Sequence, residues 1–549
     1  MRKFILIILL CVISPMVSAE MPSPKGEIKQ YTKTLSEIFK DIDKYYVDTV
    51  SAKNLLRAAT TAMFESLDPF SMYISPEEQA LYDQSTSDKY AGMGTRTRFR
   101  GDAIEILEAY KGDPADLAGL RAGDQLLYID GQPLETSTAS EQLAGAAGTS
   151  FTLVYRPIKD TLRLDTVTIT RKEITISPIP YYGTVGDSIG YIKFNHFSDD
   201  CASVFKAAFQ DLQQNSAIRS LIIDLRDNGG GIVEESLEML SMFLPQNTKV
   251  LNIQMKYYNI NQAHRTKSQP LDLDIPIAIL INSGTASASE ILSGALQDLD
   301  RAVIIGERSY GKGIVQSVLG GKFDGNIKIT TGKYYTPSGR CIQALDYAHR
   351  AEDGSIEHIP DSLIKTFTTS NGRKVYSGGG ILPDIRVESD TLSHFTDRLL
   401  NEYLYIADFA NQWTAHNTVS KENFAITDEI YAEFINFMQD KRVGYQSFNS
   451  AKFQELRTAA KQDGIDDWVV AQIDQMEQNV NASKNLQLEN NREEISSLLK
   501  YAILKRLFYN EYAIEESLSS DAMVTTAMEV LLDKNEYQRI LTEQDTQKN

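Results

Sequence analysis

The spacing of apolar residues changes along this chain, and each change marks a different kind of structure. After about residue 20, apolar residues recur at helical spacing, first at Leu35, Ile38, Phe39 and Ile42 and then at Leu56, Ala59, Met63 and Leu67. Pro69 disfavours helix at the preceding residue and ends this pattern. We therefore predict an N-terminal helical segment within residues 20–87.

Short apolar runs replace the helical pattern between residues 88 and 173. Strands are predicted at residues 103–107, 126–130 and 151–156. Between the first two, Pro114 suits the start of a helix, and Gly119 and Gly123 suit turns. The pattern predicts a β-rich domain over residues 88–173.

Residues 174–388 alternate apolar strands with helical stretches, which is typical of an α/β domain. The predicted strands are residues 191–194, 221–225, 277–281 and 303–305. Beyond residue 389 helical spacing returns and predicts a C-terminal all-helical domain over residues 389–549. The predicted fold class is therefore multidomain α+β.

The first 19 residues have the features of a secretory signal peptide. They carry Arg2 and Lys3, a short apolar run and a small-residue cleavage pattern that ends at Ala19. The apolar run is short for a membrane span of about 20 residues. We expect cleavage after Ala19 and a periplasmic or cell-envelope protein without an integral membrane span.

The chain is strongly acidic, with a formal net charge of −19. Loss of residues 1–19, which contain two basic residues and no acidic one, would take the charge to −21. Such a charge argues against nucleic acid as a partner. Cys201 and Cys341 would remain after processing, and they permit either one disulfide or two separate thiols.

A segment rich in small residues follows the predicted strand 277–281 and contains Ser287. This serine could be a nucleophile at a helix N-terminus, or it could merely cap that helix. The usual base for a nucleophilic serine is histidine, but none of the six histidines stands in a recognisable triad sequence. Lysine can replace histidine if burial lowers its pKa from about 10.4.

Lys312 lies in a Gly-Lys-Gly motif after the predicted strand 303–305. The stretch from Gly306 to Lys312 also has the spacing of a phosphate-binding P-loop. However, Gly313 stands where a P-loop needs Ser or Thr to bind Mg²⁺, and the residues that follow alternate like a strand. These departures argue against nucleotide binding.

A glycine turn supplies candidate backbone donors. The predicted strand 221–225 leads into Gly229-Gly230-Gly231, where N–H groups can point at an anion and form half of an oxyanion hole. The N–H of Ala288, at a helix N-terminus, is the natural other half. An ordinary glycine loop is the alternative.

The chain resembles the C-terminal processing peptidases in three segments that follow one another along the sequence: the glycine turn 229–231, the segment of Ser287 and the segment of Lys312. These peptidases are tail-specific serine proteases of peptidase family S41 that combine a PDZ domain with a Ser/Lys core of the ClpP/crotonase type. The likeness covers roughly residues 30–386 and includes further motifs at residues 67–69, 333–340 and 379–384. The resemblance implies these site residues: Ser287 as nucleophile, Lys312 as general base, Gln316 as the residue that orients Lys312, and the N–H groups of Ala288 and of Gly230 or Gly231 as the oxyanion hole.

The stretch 88–173 is similar to a PDZ domain, because it contains the proline-alanine helix, the Ala-Gly-Leu and the Gly-Asp of that family. Its candidate carboxylate-binding loop consists of Tyr90, Ala91, Gly92, Met93 and Gly94. In such a loop, successive N–H groups bind a terminal carboxylate while the peptide adds a strand to the sheet edge. An ordinary glycine turn would also explain these residues.

The resemblance predicts a serine endopeptidase that binds the free C-terminus of protein or peptide substrates and cleaves them for processing or degradation. No metal and no cofactor are required. The competing interpretation is a peptide-binding scaffold, which would leave Ser287, Lys312 and Gln316 without a chemical reason. Whether the helical tail recruits an adaptor or builds a homo-oligomer stays open.

Overall fold

The computed structural model describes residues 24–79, 82–83, 88–100, 103–135, 138–257, 260–321, 323–351, 353–388, 392–439, 441 and 448–543. These residues divide into two compact units, one formed by 24–74 with 318–329 and the other by the rest. The predicted signal peptide lies outside the described residues.

The first unit contains two helices and a short strand, Pro24–Tyr45, Ala52–Glu65 and Met72–Ile74. The carboxylate of Asp68 turns the chain between the second helix and the strand. Its Oδ1 accepts hydrogen bonds from the N–H groups of Phe70 and Ser71, both at 2.9 Å. The strand then pairs antiparallel with residues 326–328.

The β-rich domain is the first part of the second unit. Its strands are Lys89–Gly92, Thr95–Arg100, Ala103–Ala109, Gln125–Ile129, Gln132–Pro133, Ser150–Arg156, Asp165–Thr170 and Lys172–Thr175, and its helices are Pro114–Leu117 and Ala139–Leu143. The strand Thr95–Arg100 lies at the edge of the main sheet. Next to it, Ile104 and Ile106 point into the apolar core while Glu105, between them, points to the opposite face.

The centre of the second unit is a six-stranded sheet. The strands lie in the order Tyr181–Val185, Ile189–Lys193, Ser220–Asp224, Ile277–Ile281, Val303–Gly306 and Ile385–Arg386. The first pair is antiparallel and the following pairs are parallel. Parallel strands that are covered on both faces are apolar throughout, and all five residues of Ile277–Ile281 are buried.

Helices cover both faces of this sheet. Those on one face are Cys201–Asn215, Val233–Phe243 and Ala288–Asp298. On the other face, Val524 and Tyr537, from the last two helices of the chain, pack in one apolar cluster with Ala278 and Leu280. The backbone N–H of Ile277 donates to the Tyr537 hydroxyl at 3.0 Å, so these helices belong to the core of the sheet.

Shorter strands precede and follow the candidate lysine in the sequence. They are Lys249–Met255, Ile260–Arg265, Ile314–Gly320, Asn326–Tyr335, Leu345–Arg350, Ile356–His358, Thr366–Thr368 and Lys374–Tyr376, with a 3-10 helix at Asp361–Leu363. The strand Ile314–Gly320 begins directly after Gly313. A strand therefore stands where a P-loop would need a helix, as the sequence predicts.

The C-terminal region is helical, as predicted. Its helices are His394–Asp397, Arg398–Glu402, Tyr405–His416, Asp428–Gln439, Phe448–Gln462, Asp467–Asn490, Arg492–Leu518, Ala522–Leu532 and Lys534–Thr542. Phe409, Phe434 and Leu499 form part of a separate apolar cluster in this region. The elements together confirm the multidomain α+β class.

A buried ion cluster joins the helical region to the β-rich domain. The Asp408 carboxylate binds the guanidinium groups of Arg98 and Arg100, both at 2.6 Å. Glu105 binds the same two arginines at 2.9 and 3.2 Å. Because both carboxylates are almost excluded from solvent, the two cations are needed to neutralise them.

Two further expectations concern the cysteines and the membrane. Cys201 and Cys341 are both free thiols, the first buried and the second half-buried. Over the described part of the chain, the structure contains no helix with the length and apolar character that a bilayer crossing requires.

Candidate active site

Ser287 occupies the sharp turn between the strand Ile277–Ile281 and the helix Ala288–Asp298. Its φ of 57° and ψ of −116° lie in a region that residues with a side chain rarely adopt. Strained turns of this kind present a nucleophile beyond the carboxyl end of a strand. The residue is half-buried, which suits a group that meets a substrate.

One buried carboxylate joins this turn to the lysine segment. Oε2 of Glu290 accepts hydrogen bonds from the N–H groups of Ser287 and Lys312, each at 2.9 Å. Oε1 accepts from the Ser309 hydroxyl at 2.5 Å and from the Gly311 N–H at 2.7 Å. Burial raises the pKa of Glu290, whereas the four donors favour its ionised form.

A buried tyrosine joins the same two segments through their carbonyl groups. The Tyr334 hydroxyl donates to the carbonyl oxygen of Lys312 at 2.6 Å and lies 3.2 Å from that of Ser287. Burial raises the pKa of Tyr334 well above its usual value, so the hydroxyl keeps its proton. Glu290 and Tyr334 thus bring the backbones of Ser287 and Lys312 together.

Gly230 lies directly against the serine turn. A Cβ atom on Gly230 would come within 2.6 Å of the Ala286 carbonyl oxygen, 2.7 Å of Ser287 Cβ and 2.8 Å of the Ala288 nitrogen. Its φ of 92° also favours glycine. The structure therefore brings the glycine turn, Ser287 and Ala288 to one place.

Of the backbone N–H groups next to Ser287, some already donate a hydrogen bond within the protein and others do not. The Gly230 N–H donates to Oδ1 of Asn228 at 2.9 Å. Gly231 is exposed, and within the described residues its N–H and that of Ala288 donate to no protein acceptor. Backbone donors without a protein acceptor next to a strained serine suit an oxyanion.

Gln316 lies on the strand Ile314–Gly320, four residues beyond Lys312. Its side-chain amide donates to Oγ1 of Thr330 at 3.0 Å. The orienting contact with Lys312 stays a prediction.

The candidate carboxylate-binding loop lies in the β-rich domain. Its first residues, including Tyr90, Ala91 and Gly92, form a strand that pairs with Lys172–Thr175. Gly94 has a φ of 75° and turns the chain into the edge strand Thr95–Arg100. Among the residues that the structure covers, the N–H groups of Met93 and Gly94 have no protein acceptor.

The sequence assigned no role to Glu290 or Tyr334. Glu290 does follow Ser287 at the spacing of a capping box, and this spacing points to its bond with the Ser287 N–H. No sequence signal indicates the bonds of Glu290 to residues 309–312 or the position of Tyr334.

The chain is a serine-type peptidase with a PDZ domain, as the matches to known families show. Three family models match the chain: peptidase family S41 over residues 188–348, a PDZ domain over 105–157, and the C-terminal helical domain of probable PDZ-proteases over 395–531.

Two relatives extend this result. A carboxy-terminal-processing protease of Bartonella bacilliformis is 32% identical over 340 residues, which is 60% of this chain and 77% of the relative. A carboxyl-terminal-processing protease of a Picosynechococcus species is 34% identical over 288 residues, 51% of this chain and 68% of the relative. The chain belongs to the carboxyl-terminal-processing proteases of peptidase family S41.

Proposed function

We propose that this protein is an endopeptidase that cleaves protein substrates with a Ser287/Lys312 dyad after binding their free C-terminal tail. The main support for the dyad is that one oxygen of Glu290 accepts hydrogen bonds from the backbone N–H groups of both residues. Such a bridge holds the backbones of the two residues together, and this supports a dyad because proton transfer needs the nucleophile and the base in a defined geometry.

In the proposed reaction, neutral Lys312 takes the hydroxyl proton of Ser287 while Oγ attacks the substrate carbonyl carbon. The negative oxygen accepts from the N–H groups of Ala288 and Gly231. Gly231 is favoured over Gly230 because Asn228 already accepts from the Gly230 N–H. The peptide C–N bond then breaks, and its amine receives the proton from Lys312.

Water completes the proposed reaction. Lys312 removes a proton from water, which attacks the ester carbon, and the proton returns to Ser287 as the acid product leaves. Gln316 would orient Lys312 in both steps. No metal or organic cofactor takes part.

Tail recognition is proposed for the PDZ domain. Among the described residues, the N–H groups of Met93 and Gly94 have no protein acceptor, which suits a terminal carboxylate, and the edge strand Thr95–Arg100 can accept the tail as an added strand. The exposed ring of Phe99 on this strand favours an apolar tail.

The cellular location is proposed from the N-terminal pattern alone, as the periplasm or cell envelope. An adaptor or a second copy of the chain as partner of the helical region likewise stays a prediction. Cell fractionation tests the first, since protease in the cytosolic fraction would contradict it.

The dyad is tested with Ser287→Ala and Lys312→Ala. Each should abolish peptide cleavage with an unchanged unfolding temperature, and a fluorophosphonate probe should label the wild type but not Ser287→Ala. Ser283→Ala, on the same loop, and Lys206→Ala, on an exposed helix position, are the matched controls and should keep full activity. Turnover by either dyad variant would contradict the proposal.

Tail binding has its own test. One fluorogenic peptide is made with a free and with an amidated C-terminus, and kcat/KM is compared. We expect the amide to be the poorer substrate through a higher KM, and equal values would reject tail recognition.

A further inference from the structure

The C-terminal helical region reaches the segment that carries the candidate oxyanion glycine. Arg226 is the second residue after the strand Ser220–Asp224 and begins that segment. Its guanidinium binds Oδ2 of Asp521 at 2.7 Å on one side and Oδ2 of Asp224 at 2.7 Å on the other. A residue of the helical region therefore takes part in fixing Arg226.

Charge balance shows why Asp521 matters. The fully buried Asp224 is shared by two cations, Arg226 and, at 3.3 Å, Lys193. The Tyr191 hydroxyl donates to the same carboxylate at 2.6 Å but brings no charge. One carboxylate cannot neutralise two partly buried cations, so Asp521 supplies the second negative charge.

Asp521 is itself held rigidly. It caps the helix Ala522–Leu532, because its Oδ1 accepts from the N–H groups of Met523 at 2.9 Å and Val524 at 3.1 Å. Oδ2 remains for Arg226. Val524 is fully buried against the central sheet, which fixes the start of the helix.

Hydrogen bonds hold the backbone between Arg226 and Gly231. The Lys193 ammonium donates to the Arg226 carbonyl oxygen at 3.2 Å, and the Asp227 N–H donates to Oδ1 of Asn282 at 2.9 Å. Only four residues separate Arg226 from Gly231, so Arg226 is one of the few points that set the course of this segment.

We propose that Asp521 is a positioning residue for peptide hydrolysis. Through Arg226 it holds residues 227–231 so that the Gly231 N–H points at the substrate oxyanion. This inference rests on the proposed function of Ser287, Lys312 and the glycine turn. Under this proposal, a residue of the helical region contributes to the alignment of the oxyanion donor.

The test compares three variants in the full chain. Asp521→Asn keeps a capping oxygen but loses the charge, and Asp521→Glu keeps the charge. Asp533→Asn is the matched control, because Asp533 caps the next helix through Asn535 and Glu536. Each variant is assayed for kcat, KM and unfolding temperature with one fluorogenic peptide.

We expect Asp521→Asn to lower kcat about tenfold with little change in KM, because a misdirected donor weakens transition-state binding. Asp521→Glu should recover most of the kcat, whereas Asp533→Asn should leave it unchanged. Asp521→Asn should lose more unfolding temperature than Asp533→Asn, because only the former leaves a partly buried guanidinium without its carboxylate. All variants are therefore assayed well below their unfolding temperatures, where a loss of stability alone would not change kcat.

Equal kcat in Asp521→Asn and Asp533→Asn would overturn the inference. So would a kcat for Asp521→Glu no better than that of Asp521→Asn. Activity in Ser287→Ala would instead overturn the proposed function, which keeps the two failures distinguishable.

Discussion

The backbone N–H groups of Ser287 and Lys312 donate to the same carboxylate oxygen, Oε2 of Glu290, each at 2.9 Å. The main chains of the candidate nucleophile and base are therefore tied to one another through this oxygen. A serine and a lysine held in this way need not rely on a long flexible lysine side chain alone for their alignment.

Glu290→Gln should damage both stability and activity. The amide has one acceptor oxygen where the carboxylate has two, so at least one buried N–H loses its partner, at a cost of about 1–3 kcal/mol. We expect this loss in urea unfolding, together with a kcat reduced about tenfold or more because the two segments separate.

The control for this change is Glu238→Gln, because Glu238 lies on another helix, Val233–Phe243, and accepts a hydrogen bond only from the exposed Ser268 hydroxyl among the bonds described for it. It should leave both measurements unchanged. A Glu290→Gln enzyme with wild-type kcat would show that the bridge does not align the proposed dyad.

Tyr334→Phe removes the hydroxyl between the carbonyl groups of Lys312 and Ser287. We expect a stability loss of about 1–2 kcal/mol and a severalfold lower kcat with KM little changed. Tyr335→Phe deletes the hydroxyl of the next residue, outside this bridge, and should behave like the wild type. If the two variants have the same kcat, Tyr334 contributes packing only.

Gly230→Ala and Gly229→Ala form a second matched pair. A Cβ on Gly230 would overlap atoms of the serine turn at 2.6 to 2.8 Å, whereas a Cβ on Gly229 meets nothing within 4 Å. Gly230→Ala must displace Ser287 or the donors, so we expect kcat to fall about a hundredfold. Gly229→Ala should remain active, and similar kcat values for the two would contradict the close approach of Gly230.

Acid stability should depend on Asp224. Burial by itself would raise the pKa of Asp224, but the charges of Lys193 and Arg226 outweigh burial and hold it well below its usual value. A lowered folded-state pKa means that ionised Asp224 stabilises the fold above about pH 4. This contribution is lost as the pH falls through the folded-state pKa.

We therefore expect Asp224→Asn to be less stable than the wild type by about 3 kcal/mol at pH 7, because Lys193 loses its carboxylate and Arg226 keeps only that of Asp521. The difference should shrink as the pH is lowered below 4. Urea unfolding from pH 7 to pH 3 measures it, and the exposed Asp199→Asn is the control. A difference that stays constant over this range would contradict the lowered pKa.

The strands were predictable where burial leaves an unbroken apolar run. Ile277–Ile281 has the bounds that the sequence indicates, because both faces of this strand are covered and all five positions must be apolar. Strand ends elsewhere shift by one or two residues, as in Ile189–Lys193, because pairing with a neighbour rather than local composition decides where a strand begins.

The parts of the site that join distant segments could not be predicted. The capping-box spacing indicates that Glu290 binds the Ser287 N–H, but its other donors lie on a loop after the next strand. Asp521 meets Arg226 across almost 300 positions of sequence. Local patterns contain no information on such pairs, because only the packed helices and sheet bring them together.

Alternate residues of the strand Thr95–Arg100 make contacts on opposite faces of the sheet. Arg98 and Arg100 bind Asp408, while Thr97 and Phe99 lie opposite Ile106 and Ile104 on the other face. A PDZ domain grafted from another protease would leave Asp408 buried without cations unless it brought bases at both arginine positions. To change the substrate preference of the enzyme, Thr97 and Phe99 are the better positions to substitute. Arg98 and Arg100 should be kept, because they bind the domain to the helical region.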